Sequence, residues 1–125
     1  MIKAIVMLFA FCTVLVAQVP REAAEAVAKF QQAIVSGDVH LLASIAHFPI
    51  RSNEFPTINN EAELKKLLPK IFPPDRKTGL VGQVPVARPK GFVSVFSKQE
   101  NDPIQFLFQQ FGKVYLWCSI DNVNE

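Results

Sequence analysis

Cysteine and histidine are scarce here, with two of each in 125 residues. Cys12 falls in an apolar N-terminal run, so only Cys118 would survive processing, and an intramolecular disulfide is then excluded. Cys118 lies among apolar neighbours and is expected to be a buried small hydrophobe with an inert thiol. His40 and His47 are seven residues apart, with no CxxC, HExxH or acidic calcium loop, so no metal site is expected. The glycines are equally sparse. Gly79, Gly82 and Gly91 are too scattered for a phosphate-cradling loop, and no GxSxG announces a nucleophile, so no cofactor is expected. A formal net charge of only +2 gives no electrostatic case for nucleic acid or an anionic membrane.

Hydrophobic residues make up 50% of the chain, enough for one core without covalent staples. Lys3 precedes an uncharged run from Ala4 to Ala17, which reads as a secretory signal peptide. The run is shorter than the roughly 20 residues that span a bilayer, so no stable membrane anchor is expected after cleavage. Small Ala17 is the expected cleavage position, and Phe11 before Cys12 argues against lipidation. The product is then a single domain, residues 18–125, exported to the periplasm or the medium. Losing Lys3 lowers its net charge to +1.

Apolar positions Ala23, Ala26, Val27, Phe30, Ala33 and Ile34 recur at steps of three and four, which predicts a helix from Pro20 to Ser36. Gly37 suits the left-handed position after it, and Asp38 suits the cap of a second, short helix from Val39 to Ala46. Pro49 ends that helix, and His47 to Arg51 reads as extended. Asn60 with Glu63 resembles a capping box and opens a third helix whose stripe is Leu64, Leu67, Leu68 and Ile71. Pro69 inside the stripe predicts a kink or a 3₁₀ last turn. Pro73 to Lys90 reads as a loop or a ragged edge strand. Gly91–Lys98, Ile104–Gln110 and Lys113–Ile120 are rich in β-branched and aromatic residues and predict an antiparallel meander. Both of its faces carry apolar groups. One face should pack on the helices, leaving the other partly exposed or covered by a second subunit.

This order resembles the NTF2-like superfamily, a cone-shaped α+β fold also called cystatin-like, and within it a small secreted bacterial branch of unknown function. The residues that carry the resemblance are Ser36-Gly37-Asp38, Leu42-Ala43, Phe48-Pro49-Ile50-Arg51, the segment from Thr57 to Leu68 and the strand from Lys113 to Ile120. The resemblance implies N-terminal helices packed on a curved antiparallel sheet, a candidate pocket in the cone, and sheets that often dimerise. It does not imply one activity, because the superfamily holds isomerases, dehydratases, carriers and transport factors.

Two functional readings follow. In the first, the protein is a non-enzymatic binding module that holds a small apolar ligand in the cone or a protein partner on the open sheet face, with His47, Arg51, Tyr115 and Trp117 as contact residues. In the second, it is an isomerase, dehydratase or cyclase resembling ketosteroid isomerase, with His47, Tyr115 and Asp121 converging in one cavity as acid, base and oxyanion partner. Asp38 is accounted for by capping, and Lys65, Lys66 and Lys70 by a solvated helix face. A filled cone favours interaction, whereas a cavity with two convergent polar groups favours chemistry.

Overall fold

The computed structural model describes residues 18–99 and 101–124. The signal-peptide reading of residues 1–17 therefore lies outside the described residues. The fold is α+β, with helices on one face of a curved five-stranded sheet.

Helix α1 (Arg21–Ser36) buries the six apolar residues that its periodicity marks. Gly37 closes it at φ 69°, and the Gly37 and Asp38 N–H groups donate to the Ile34 and Ala33 carbonyls. The Asp38 carboxylate then accepts the Leu41 N–H at 3.0 Å and caps α2 (Val39–Ser44). Strand β1 (Ala46–Ser52) follows, and its Phe48–Pro49 peptide bond is cis.

Helix α3 (Glu61–Ile71) begins where the Asn60 side chain accepts the Glu63 N–H at 2.9 Å. The reciprocal arm of the cap is shifted by one residue, because Glu63 accepts the backbone N–H of Asn59. That bond, followed by the Asn59 side-chain amide, holds the Glu63 carboxyl below its usual range. Pro69 stands within the last turn, and the helix continues past it to Ile71.

Part of the segment read as a loop folds as α4 (Pro74–Leu80), with Pro74 in the first turn, where its missing N–H costs nothing. Arg76 explains why this short helix stays docked. Its guanidinium donates to both Asp102 oxygens, at 2.9 and 3.2 Å, and to the Ile71 carbonyl at 2.8 Å. The Gln31 amide donates to the Leu80 and Gln83 carbonyls at 2.8 Å each and ties the end of α4 to α1.

Beyond lie β2 (Val86–Ala87), a single 3₁₀ turn (Pro89–Gly91), β3 (Val93–Phe96), β4 (Ile104–Phe111) and β5 (Val114–Asn122). The strand order is β1-β5-β4-β3-β2. The closing strands form the expected antiparallel meander, but β1 pairs parallel to β5, so the sheet is mixed rather than wholly antiparallel. The parallel pair follows from the route of the chain, which crosses through α3 and α4 between β1 and the meander.

Between α1 and the sheet the space is filled by aromatic rings. Phe30 stands at its centre, with ring centroids of Trp117, Phe108, Phe106 and Phe72 at 5.1, 5.2, 5.3 and 5.8 Å. Edge-to-face pairs of this kind contribute about 0.5–1.5 kcal/mol each beyond the area they bury. The space between α1 and the sheet is thus a packed core.

Candidate functional site

Among the described residues no α-helix packs on the other face of the sheet. Two shallow grooves, of about 430 and 570 Å³, cross it and share Phe92, Leu107 and Asp121, so they form one trough. His47 and Arg51 on β1 stand at one end, and Arg88 and Phe96 at the other.

Each end is a stack of flat groups. The His47 ring lies on Phe111 with centroids 3.9 Å apart and planes within 4°. The Arg88 guanidinium lies 5.3 Å from the Phe96 centroid while its Nε donates to the Ser94 hydroxyl at 2.9 Å. That bond explains how Ser94 can be fully buried on a face that is otherwise open. Arg51, by contrast, is exposed and forms no ion pair among the described residues.

A β-bulge decides which side chains of β5 reach the trough. Phe108 lies opposite Trp117, yet its neighbour Leu107 lies opposite Ser119, so Cys118 is an extra residue. In an unbroken strand Tyr115, Trp117, Ser119 and Asp121 would share one face. The extra residue reverses the phase. Tyr115, Trp117 and Ile120 face the core, and Cys118, Ser119 and Asp121 all line the trough. The Trp117 indole N–H donates to the Ser119 carbonyl at 3.2 Å, so the buried ring leaves no polar group unpaired.

The bulge also sorts the candidate residues. His47, Arg51 and Asp121 are brought to one trough, and the Asp121 carboxylate accepts the Ser119 hydroxyl at 2.9 Å. Tyr115 lies on the opposite side of the sheet, beside a separate hollow of about 340 Å³ with Glu22, Glu25 and Lys29. Trp117 is fully buried in the aromatic core. The acid, base and oxyanion constellation of His47, Asp121 and Tyr115 is therefore divided between two faces. Contacts missed in the sequence are the Phe111 and Arg88 stacks and Ser119. Phe92 and Phe96 alternate with the buried Val93 and Val95 and supply the β3 side of the face.

Cys118 is half-buried in the trough rather than sealed in the core. Desolvation, and secondarily the Asp121 charge, push its thiol up to about 11. At neutral pH it is a protonated, unreactive thiol.

Another hollow, of about 710 Å³, lies between α1, α4 and the end of β3, lined by Val35, Lys77, Val81 and Lys98 among others. The Thr78 hydroxyl at its wall is engaged by the Pro74 carbonyl, and the hollow gathers none of the candidate residues, so the trough is the better candidate site. Among the described residues no three His, Cys, Asp or Glu side chains are grouped to hold a metal, and no helix is long and apolar enough to cross a membrane.

No family model matches the chain, and no curated protein matches it.

Proposed function

We propose that this is an exported, non-enzymatic binding module, an NTF2-like domain that meets its partner or ligand on the open face of the sheet. The filled interior is the observation that carries the reading. Five aromatic rings occupy the space where a cone-shaped relative would hold a ligand, which leaves binding to the outer surface, where the trough gathers apolar side chains with His47, Arg51 and Asp121. His47 and Arg51 remain contact residues in this reading, Asp121 joins them, and Tyr115 and Trp117 act as core.

The acid/base reading has less support. His47 and Asp121 line a shallow, open trough, with no closed cavity around them to exclude water.

Expressing the full chain and sequencing the N-terminus of the exported product tests export, with Gln18 expected as its first residue. A photo-cross-linking residue at Gln109, in the trough, is then compared with one at Lys66, on the exposed side of α3. The first is expected to capture a partner and the second to capture none. Equal capture at both positions, or none at either, overturns the proposal. An adduct of twice the chain mass identifies a second copy of this protein, a homodimer through the sheet.

A further inference from the structure

We infer that the trough receives an acidic oligosaccharide, a chain of sugar rings bearing carboxylates, with Arg51 as the residue that binds the carboxylate. The inference rests on the reading of the open face as the binding surface.

Arginine bookkeeping singles out Arg51. Arg21 pairs with Glu25, Arg76 with Asp102, and Arg88 with Ser94 and the Phe96 ring. Arg51 alone of the four has no such partner among the described residues, and it opens into the trough. Its planar fork matches a carboxylate with two parallel N–H donors. The trough holds two guanidinium groups, Arg51 and Arg88, against one carboxylate, Asp121, which is already engaged by Ser119. An anion is therefore the favoured visitor.

Shape narrows the class. A ligand that depends on full burial, such as an acyl chain, needs a closed pocket, and this trough is open along its length. A peptide strand binds sheets through their edges, where backbone groups are free. Both edges here are blunted. Strand β2 has two residues between Pro85 and Pro89, and β1 takes five steps, from Ala46 to Arg51, where β5 takes two, from Trp117 to Ser119. Laid across the face, a peptide would find no backbone partners for its own N–H and C=O groups. Sugar hydroxyls need only side-chain donors and acceptors, and Gln105, Gln109, Ser119 and Asp121 supply them. The flat stacks at the two ends and Leu107 between them suit the apolar faces of sugar rings.

Hexagalacturonate is the probe, with neutral maltohexaose and hexaglutamate beside it, each titrated into the exported protein and followed by amide chemical shifts. Saturable binding of hexagalacturonate is expected, with shifts at Leu107, Gln109 and Ser119 and none along α1. Arg51→Gln should weaken it about tenfold, the scale of one charge-assisted contact, without moving the unfolding midpoint. Arg51→Lys should recover part of the loss, and maltohexaose should bind more weakly and ignore both variants. Absence of hexagalacturonate binding at about 10 mM, a concentration that detects even millimolar affinity, overturns the inference. So does equal binding of hexaglutamate, which would make the occupant an acidic peptide, or indifference of hexagalacturonate to Arg51→Gln. If the sugar fails while the Gln109 cross-linker still captures a partner, only the glycan inference falls. If both fail, the open face itself is not the binding surface.

Discussion

The two faces of this sheet use the same strands and both carry aromatic side chains, yet they solve different problems. On the helix side Phe106, Phe108 and Trp117 are fully buried, and Phe108 and Trp117 meet Phe30 edge to face while Phe106 meets it at a tilt. On the open side Phe111 and Phe96 are half-buried, and each is covered by a flat polar side chain, His47 or Arg88. Burial in the first case removes apolar area from water and stabilises the fold. Partial covering in the second keeps the rings usable while limiting the apolar surface shown to solvent. An aromatic residue is thus not by itself a sign of core or of site, and its covering group tells the two apart.

That contrast breaks most directly under truncation. Trp117→Ala should cost about 3–5 kcal/mol in urea unfolding, whereas Leu107→Ala, half-buried in the trough, should cost about 1 kcal/mol. Equal losses would mean that the open face is structural core. Arg76→Ala comes next, at about 3 kcal/mol, because it strands the mostly buried Asp102 carboxylate. Arg88→Ala on the open side should cost less, about 1–2 kcal/mol in the same assay, because it removes the partner of the buried Ser94 hydroxyl without stranding a charge.

Gly79→Ala probes how tightly α4 sits on the end of β3. A methyl group there would collide with the Ser97 hydroxyl and crowd Gln99, so about 1–3 kcal/mol should be lost, and Ser97→Gly should return only part of it in the double variant, because the Gln99 contacts remain. Calorimetry of the two single variants and the double would show whether the contact is local. The smallest effect is chemical rather than energetic. The Cys118 thiol is raised to about 11, so its alkylation rate should keep climbing between pH 9 and 11, where an ordinary thiol has levelled off. Near pH 8 the rate should be about a hundredfold below that of the unfolded chain, in proportion to the thiolate present. An early plateau would place Cys118 in open solvent.

Much of the helix side was legible in the sequence. The three- and four-residue spacing in α1 named its buried residues, and Gly37, Asp38 and Asn60 marked where helices stop and start. The closing strands were legible from their β-branched and aromatic content, and alternation holds through β4 and as far as Trp117 in β5. The open side was harder for identifiable reasons. Tyr115 and Asp121 are six residues apart, an even separation that assigns both to one face, and no residue type at Cys118 announces the bulge that parts them. Helix α4 was hidden because seven residues are too few to show a periodic stripe and Asp75, Thr78 and Gly79 are weak helix formers, while the contacts that hold it come from Asp102 and Gln31, distant in sequence. The β1–β5 pairing was hidden for the same reason. Parallel pairing joins segments from opposite ends of the domain, and alternation within each strand does not name a partner.

The Arg76–Asp102 pair spans 26 residues and fastens α4 to the turn before β4. In many small exported domains a cystine would occupy such a position. A polar clasp of this kind re-forms whenever the chain refolds, without an oxidant or an isomerase. Its strength answers to salt and is indifferent to thiols, so reductants should leave the unfolding curve where it is.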